Sequence, residues 1–343
     1  MTMRVSLILP CRNEESHIAS CLDSLLGSTY PHDDLELIVV DGDSDDRTRD
    51  IVARYAERHL NIQLLDNPRR IVPTALNIGI RAATGDVILR VDAHAIYPPE
   101  YVPRLVAALL ASGADNVGGC VVTLPSDDSD TATAIAMALS HPFGVGDSWF
   151  RIGRSKTPRW VDTVPYGCWR RSVFERIGYF DEELVRNQDE EFNYRLLRAG
   201  GRILLLPDVV SYYYARASQR QVTRMLYQYG YFKPLVARKV GRVFTVRQLA
   251  PPALVTALAG GGALSLFWSP AAALWVAIIG AYTGAALACA MPAARARGLR
   301  GMLVLAATFP LLHVSYGYGF LRGLWRVMGR GAWDSPSTVP LTR

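Results

Sequence analysis

The sequence predicts an α/β domain built on a mostly parallel sheet, followed by apolar helices in a membrane. Short apolar runs alternate with amphipathic segments through roughly the first 90 residues, which is typical of β-α-β units. The apolar runs are continuous, as in strands that helices cover on both faces. From Leu249 onward charge becomes rare and Ala, Gly, Leu and Val dominate, which indicates a membrane region.

Four strands and three helices are predicted in alternation at the start of the chain. The strands are 5–10, 35–40, 61–66 and 86–91, and the helices are 14–28, 46–58 and 72–83. The apolar residues of the first helix share one side, at Ile18, Cys21, Leu22, Leu25 and Leu26. This spacing is that of a helix with one buried face.

The next part of the chain is less regular. A helix is predicted over 98–114, with prolines in its first turn, and a strand over 116–124. Two short helices and a further strand are predicted within 171–208, and Gly200 and Gly201 end the second of these helices.

Composition and charge favour a membrane surface as a partner. Of the 343 residues, 50% are hydrophobic, which is high for a purely soluble protein. The net charge of +6 comes almost wholly from arginine, which suits anionic lipid headgroups as well as phosphates. The cationic residues cluster at 233–247 and 292–330, beside the apolar segments. We therefore expect a membrane surface, and no nucleic acid, as a partner.

The cysteines and the amino terminus favour a cytoplasmic location for the soluble domain. The five cysteines are an odd number and have neither paired nor metal-site spacing, so reduced thiols are predicted. The first residues lack the long apolar core and the cleavage site of a signal peptide. The expected location is the inner (plasma) membrane, multi-pass, with the soluble domain on the cytoplasmic side.

Three apolar stretches follow, each close to the ~20 residues that cross a bilayer. They are 250–267, 271–291 and 302–321. The basic sequence 294–300 is predicted as a cytoplasmic loop, which fits two crossings before it. The third stretch is left open as a crossing or as a re-entrant or interfacial segment. The expected division is a soluble domain 1–232, a basic interfacial linker 233–249, a membrane region 250–325 and a polar tail 326–343.

Polar residues follow three of the predicted parallel strands. They are 11–16, 41–48 and 92–95. In an open α/β sheet, ligands bind outside the carboxyl ends of the strands. Carboxylates that meet there repel one another unless a cation binds between them. The sequence thus predicts a site with a bound cation at this edge of the sheet.

Asp92 and His94 are the candidate cation ligands, because they stand two residues apart in an extended loop. Mg²⁺ or Mn²⁺ bridging a diphosphate takes oxygen ligands from one or two carboxylates, and imidazole suits Mn²⁺. The alternatives are an Asx turn for Asp92 and a surface location for His94.

Two further aspartates are candidates. Asp41 continues a strand onto the ligand-binding edge and could accept the N3–H of uracil, whereas Asp45 or Asp46 is predicted to cap the next helix. Asp189 stands at a helix start, where acidic residues favour the helix dipole. If its side chain faces the pocket, Asp189 could deprotonate an acceptor hydroxyl.

Four motifs in order resemble the inverting, GT-A-fold glycosyltransferases of family 2. They are ILPCRNEE, VVDGDSDDRT, LNIGIRAATGD with RVDAHA, and NQDEEFNYRLLRAGG, and the resemblance covers most of residues 4–215. RVDAHA, QDEEFNYR, YGYFKP and HVSYGYGFLRG further resemble the succinoglycan-type glucosyltransferases, which extend a lipid-linked sugar. The implied fold is a Rossmann-like GT-A domain followed by transmembrane helices.

The resemblance implies transfer from a nucleoside-diphosphate sugar with inversion at the anomeric carbon. Pro10 and Glu14 would line the nucleoside site, Asp41 and Asp43 would contact the uracil or ribose, and Asn77 would help to position the donor.

It also implies the metal ligands and the base. Asp92 and His94 occupy the metal-binding Asp-x-Asp positions, and the histidine departs from the commonest pattern. Asp189 matches the catalytic base of the Glu-Asp motif, with Gln188 in place of the usual Glu.

Gln221 and Arg224 resemble part of the Gln-x-x-Arg-Trp motif of processive members, with Met225 in the place of the tryptophan. On a helix the two share a face and could reach an acceptor or the diphosphate. An interfacial helix whose arginines meet lipid headgroups explains them equally well.

Together these features predict a membrane-anchored glycosyltransferase that uses Mg²⁺ or Mn²⁺. It would transfer a sugar, glucose from UDP-glucose, to a polyprenyl-diphosphate-linked saccharide in exopolysaccharide or cell-surface glycan synthesis. The alternatives are a polyprenyl-phosphate glycosyltransferase of the same fold and a non-catalytic membrane scaffold. A nucleotidyltransferase would bring a Gly-rich loop after the first strand, and PCRNEE has no glycine.

Overall fold

The computed structural model describes residues 3–146, 148–152, 157–241 and 244–329. In this part of the chain nine strands form one sheet. The strands are β1 Val5–Cys11, β2 Leu35–Asp41, β3 Ile62–Asp66, β4 Val87–Arg90, β5 Ala95–Ile96, β6 Asn116–Leu124, β7 Arg159–Val161, β8 Cys168–Arg170 and β9 Ile203–Tyr214.

The sheet is parallel in its first half and mixed in its second. The strand order is β3-β2-β1-β4-β8-β6-β9-β5, and β7 also pairs with β9. β3, β2, β1 and β4 are parallel neighbours, β8 runs antiparallel between β4 and β6, and β6 and β9 are parallel. The predicted α/β fold with a mostly parallel amino-terminal sheet is confirmed.

Twelve helices accompany the sheet in the described residues. They are α1 Ile18–Leu26, α2 Thr48–Arg58, α3 Val72–Ala82, α4 Tyr101–Ser112, α5 Asp130–Leu139, α6 Pro142–Val145, α7 Trp149–Ile152, α8 Ser172–Ile177, α9 Gln188–Arg198, α10 Gln219–Val240, α11 Val246–Ser265 and α12 Ser269–Met328. Each helix predicted in the soluble region is present, with shorter bounds. The predicted stop after the second short helix is also present, because Gly200 takes a positive φ of 78° after α9.

Helices cover both faces of the sheet, as the continuous apolar strands predict. Successive side chains of a strand point to opposite faces, so Leu7 packs with α1, α2 and α4 while Ile8 packs with α3, α8 and α9. Both residues are fully buried. This double cover leaves the ends of the strands as the accessible edge of the sheet.

The three predicted apolar stretches correspond to α11 and to the two halves of α12, which a non-helical residue, Gly298, separates. The basic sequence 294–300, predicted as a loop, is instead helical on both sides of this kink. Among the described residues α12 is the one helix long and apolar enough to cross a membrane, judged by length and composition.

Two of the predicted domain boundaries fall inside helices, and most of the predicted tail lies outside the described residues. The boundary at 232–233 falls within α10, which is continuous from Gln219 to Val240. Of the predicted tail, 326–328 belong to α12, and 330–343 lie outside the described residues.

Glycines allow α10 and α12 to pack backbone against backbone. A Cβ atom at Gly319 would overlap the Tyr227 carbonyl, and one at Gly323 would overlap the Tyr231 carbonyl. From the other side, a Cβ atom at Gly230 would overlap the backbone of α12. This close contact holds the carboxyl-terminal helices against the helix that follows the sheet.

Candidate active site

One cavity of about 790 Å³ connects the sheet to the carboxyl-terminal helices. On the sheet side it is lined by Pro10 at the end of β1, Arg90 at the end of β4, and the loop residues that follow these strands. On the other side it is lined by residues of α6, α10, α11 and α12. These include Phe143, Tyr229, Arg247, Leu254, Tyr282, Leu312, His313 and Tyr316.

Arg90 connects two carboxylates of the cavity wall. It is the last residue of β4 and only 9% of its side chain is exposed. Its guanidinium donates to Asp92 Oδ1, 3.0 Å away, and also to the carboxylate of Asp189. Burial lowers the pKa of Arg90, but the two carboxylates outweigh this effect and raise it above its ordinary value. A permanent positive charge therefore lies between Asp92 and Asp189.

Asp189 faces the cavity from the first turn of α9. Its side chain is 36% exposed, and the residue is part of the cavity lining. Burial raises the pKa of Asp189, Arg90 opposes the rise, and Asp92 adds to it. A carboxylate with a raised pKa accepts a proton more readily than an ordinary aspartate, which suits a general base.

Asp92, His94 and Glu14 lie together on the sheet side, and all three line the cavity. His94 Nδ1 lies 3.1 Å from Glu14 Oε1, and the His94 ring packs edge-on against Tyr213. When Nδ1–H donates to the carboxylate, the lone pair of the neutral imidazole lies on Nε2. This carboxylate–histidine arrangement is the usual one behind a metal-bound histidine.

The donor set fits a divalent cation held jointly by protein and substrate. In the described part of the chain no three His, Cys, Asp or Glu side chains form a group that could hold an ion by themselves. The predicted ligands Asp92 and His94 supply one carboxylate and one imidazole, so diphosphate oxygens would complete the coordination. His94 takes the place of the second aspartate of the Asp-x-Asp motif, and its contact with Glu14 orients the imidazole ring.

Of the residues predicted to bind the nucleoside, some line the cavity and others do not. Pro10 and Glu14 line the cavity, as does Gly42, whereas Asp41 and Asp43 on either side of this glycine are not among its lining residues. Asp41 is fully buried and accepts hydrogen bonds from Ser44 and from Arg49, the latter at 3.0 Å. Asp43 has a positive φ of 56° and pairs with Arg70, which does line the cavity.

Asn77 lies away from the cavity. It is 2% exposed in α3 and holds the turn at Phe180 by accepting from the Phe180 N–H and donating to its carbonyl, both at 2.9 Å. It also donates to Glu182 Oε1 at 2.8 Å. These contacts assign Asn77 a structural role in the described conformation.

The structure also places Gln221 and Arg224 outside the cavity lining. Both are exposed at the start of α10, and the Gln221 side chain lies 3.2 Å from the Ser218 hydroxyl. Neither residue is among those that line the cavity shared by the predicted base and metal ligands.

Sequence reasoning missed Arg90 and the helix-borne residues of the cavity. A local signal for Arg90 exists, because an arginine that ends a buried strand must be paired to be buried. Lys233 on α10 and Gln248 on α11 both bond to Glu190. Local sequence patterns do not predict contacts between residues so distant in sequence.

Burial disfavours the reactive thiolate form of four of the five cysteines. All five thiols are free, and burial raises the pKa of Cys11, Cys21, Cys120 and Cys168. A raised pKa disfavours the thiolate, so these four thiols are poor candidates for a nucleophile.

The sheet, with its cavity at the strand ends, is of the GT-A type found in nucleotide-sugar glycosyltransferases. The mannosyltransferase PcManGT from Pyrobaculum calidifontis, solved with GDP-Man and Mn²⁺, superposes with a TM-score of 0.65. It is 24% identical in sequence, and the match covers 95% of this chain and 88% of that one. At this identity the likeness shows the fold.

Sequence comparison supplies the family. Residues 6–178 match glycosyl transferase family 2. The succinoglycan biosynthesis protein ExoA of Rhizobium meliloti (strain 1021) is 31% identical over 323 residues, which are 93% of this chain and 94% of the relative. A dolichyl N-acetyl-α-D-glucosaminyl phosphate 3-β-D-2,3-diacetamido-2,3-dideoxy-β-D-glucuronosyltransferase of Methanococcus voltae is 29% identical over 68% of this chain and 74% of its own. The chain belongs to family 2 and is a glycosyltransferase.

Proposed function

We propose that this chain is a membrane-anchored inverting glycosyltransferase whose acceptor is a polyprenyl-diphosphate-linked saccharide and whose donor is UDP-glucose. The observation that carries the proposal is the cavity of about 790 Å³, which joins the strand ends, Asp189 and the carboxyl-terminal helices. A donor at the strand ends and an acceptor reaching in from the helices would meet beside Asp189.

Asp189 acts as the general base in this proposal. Its carboxylate takes the proton from the acceptor hydroxyl, whose oxygen bonds to the anomeric carbon as the bond to the nucleoside diphosphate breaks. Attack from the face opposite the leaving group gives inversion in one displacement. Arg90 holds the Asp189 carboxylate in place and favours its ionised form.

Asp92 and His94 would hold a divalent cation, Mg²⁺ or Mn²⁺, which supplies charge stabilisation for the leaving diphosphate. Two observations support this assignment: Glu14 orients His94, and the structural relative PcManGT was solved with Mn²⁺. Pro10 and Glu14 would flank the nucleoside, and Asp41 and Asp43 would shape the turn around Gly42 beside it.

The helix side of the cavity suits an acceptor with a lipid portion. Its wall contains apolar and aromatic side chains such as Phe143, Leu254 and Leu312, and α12 is long and apolar enough to reach into a bilayer. The named activity of the Methanococcus voltae relative concerns a dolichyl phosphate-linked sugar. We propose that the helices anchor the enzyme in the plasma membrane with the sheet domain in the cytoplasm.

Release of UDP by membranes that contain the enzyme tests the proposal. A panel of UDP-sugars is supplied with Mn²⁺, Mg²⁺ or EDTA, and with a lipid-linked saccharide, polyprenyl phosphate or no acceptor, and release of GDP from GDP-mannose is measured in parallel. We expect release from UDP-glucose that EDTA abolishes and that the lipid-linked saccharide stimulates. Stimulation by polyprenyl phosphate alone would contradict the proposed acceptor and favour direct glycosylation of the lipid phosphate.

Two aspartate variants complete this test. Asp189→Asn is expected to lose transfer by about 10²- to 10⁴-fold, the usual contribution of a general base. Asp181→Asn is the matched control, because Asp181 pairs with Lys239 outside the cavity lining, and it should keep wild-type activity. An active Asp189→Asn enzyme would contradict the role of Asp189.

A further inference from the structure

We propose that Lys233 on α10 and Gln248 on α11 are positioning residues for the base Asp189 and act through its neighbour Glu190. We call Lys233, Glu190 and Gln248 the Glu190 cluster. The inference rests on the proposed role of Asp189 and extends it, because it makes the alignment of the base depend on the two helices that line the acceptor side.

Each oxygen of the Glu190 carboxylate accepts from a different helix. The Lys233 ammonium donates to Oε2, and the Gln248 amide donates to Oε1 at 3.0 Å. The Lys233 side chain is only 12% exposed. Charge-assisted hydrogen bonds to a carboxylate are stronger than neutral ones, and removal of one partner leaves a largely buried charge behind. The contact is therefore costly to break.

The chain just before the base is fixed to the same helix. The Asn187 amide donates to the Tyr229 carbonyl of α10 at 2.9 Å, and Arg186 Nε donates to Gln228 Oε1 at 3.2 Å. Asn187 itself has a left-handed backbone conformation with φ 64°. Asn187 and Glu190, the residues on either side of 188–189, both bond to α10 and so hold this segment against it.

Asp189 needs such support because of its position in the helix. It is the second residue of α9, and the first turn of a helix lacks intrahelical partners for its N–H groups and frays readily. Arg90 holds the carboxylate from the sheet side, while the Glu190 cluster holds the backbone from the helix side. A base that must meet a hydroxyl within hydrogen-bond reach loses rate steeply when it is misplaced.

The same helices contribute to the acceptor side of the cavity. Tyr229 and Lys233 on α10, and Arg247, Gln248 and Leu254 on α11, line it. A ligand that shifts α10 or α11 therefore acts on the Glu190 cluster through direct contacts. This links the acceptor side to the base through residues in continuous contact.

A purely structural ion pair is the competing explanation, and α10 contains a matched example of one. Lys239 pairs with Asp181 at 2.7 Å and with Glu183 at 2.5 Å, outside the cavity lining. Lys233→Met and Lys239→Met thus remove the same charge from the same helix, in one case next to the base and in the other away from it.

Steady-state kinetics of sugar transfer distinguish the two explanations. For Lys233→Met we expect kcat to fall about 10- to 100-fold, the size of effect that a misplaced catalytic group produces. The donor KM should change by less than about twofold, because the strand-end contacts remain. Lys239→Met should leave kcat and KM unchanged. Equal kcat values for Lys233→Met and wild type would overturn the inference.

Gln248→Glu provides a second variant that preserves the fold of α11. Gln248 Oε1 accepts from the Thr245 N–H in the capping box at the start of this helix, and a glutamate keeps this bond. The new carboxylate repels Glu190 and cannot donate to it. We expect the same selective fall in kcat, and the double variant Glu190→Lys with Lys233→Glu should regain part of the loss that each single change causes.

Amide hydrogen exchange measures how firmly the segment around Asp189 is held, and it does so without an activity assay. In Lys233→Met the amides of residues 188–191 should exchange faster than in wild type, and in Lys239→Met they should not. Unchanged exchange together with unchanged kcat would overturn the inference while Asp189→Asn remained inactive. An active Asp189→Asn enzyme would instead overturn the proposed function, and the exchange result would still report on the cluster.

Discussion

The sheet side and the helix side of the cavity differ in how their residues are held. On the sheet side, charged groups hold one another: Arg90 bonds to Asp92 and Asp189, and Glu14 bonds to His94. On the helix side, the wall is largely apolar and aromatic, and the helices are held by close backbone contacts at glycines such as Gly230 and Gly319. Asp189 lies where the two sides meet.

This difference assigns a task to each side. Fixed charges in a partly buried site are already oriented toward a diphosphate and need no rearrangement as charge develops. The apolar and aromatic part of the helix-side wall suits the lipid portion of an acceptor, and the cations Lys233 and Arg247 also line this side. Changes on the sheet side should therefore alter chemistry and ion binding. Changes on the helix side should alter packing and acceptor use, except in the Glu190 cluster, whose contacts reach the segment that contains Asp189.

Among the changes that test this comparison, the largest effect is expected at Arg90. Arg90→Met leaves Asp92 and Asp189 without the cation between them, so we expect at least a ~100-fold loss of kcat and a loss of about 3 kcal/mol in unfolding free energy. Kinetics and thermal unfolding measure the two. Arg104→Met is the control, because Arg104 forms an exposed pair with Asp208 and exposed pairs contribute little. A fully active Arg90→Met enzyme would contradict the claim that the charged groups of the sheet side are needed for catalysis.

Packing on the helix side is tested at Gly319. In Gly319→Ala the new methyl group overlaps the Tyr227 carbonyl, so α10 and α12 must separate, at a cost of about 1–3 kcal/mol. Thermal unfolding in detergent measures this. Gly284→Ala, also on α12, meets nothing within 4 Å and should unfold at or slightly above the wild-type temperature. Equal stability of the two variants would show that the close helix contact does not hold the helix side together.

Ion binding on the sheet side is tested at Glu14. Glu14→Gln weakens the acceptor for His94 Nδ1–H, and loss of such a partner typically costs about 10- to 100-fold in metal affinity. We expect an effect at the lower end when Mn²⁺ is titrated in the presence of UDP. Glu15→Gln is the neighbouring control, since Glu15 pairs with exposed Arg47. Identical Mn²⁺ affinities for Glu14→Gln and wild type would contradict the metal assignment.

The smallest effect concerns pH. Asp189 must be ionised to act as a base, and its pKa is raised, so kcat/KM should fall as the pH drops through this raised value, earlier than for an ordinary aspartate. In Arg90→Met the influence that opposes the rise is lost, so the acid limb should move to higher pH. If the acid limb of the pH–rate profile is the same in both enzymes, the group that titrates is not Asp189.

The sheet side follows from local sequence rules more closely than the helix side does. Asp92, His94 and Asp189 stand at a strand end and a helix start, and the rule that ligands bind at strand ends brings them to the same cavity. The same rule predicts an exposed role for Asp41, yet Ser44 and Arg49 engage its carboxylate. The rule locates the residue and leaves its partners undetermined.

Pairings over long sequence separations explain the rest. Asn77 bonds to the turn at Phe180, and Glu190 meets Lys233 and Gln248, because tertiary packing brings these segments together. Hydropathy predicts the apolar stretches of the helix side, and the non-helical residue Gly298 separates two of them as the two halves of α12. Which side chains these helices present to the cavity depends on contacts that a local pattern does not encode.

The configuration of the new glycosidic bond tests the central claim most directly. UDP-glucose has an α-linked sugar, and a single displacement assisted by Asp189 gives a β-linked product. NMR of the glycan released from the lipid-linked product would show the coupling of the new anomeric proton. A β linkage, formed by the wild type and lost in Asp189→Asn, is the predicted result, and an α linkage would contradict a single displacement at this site.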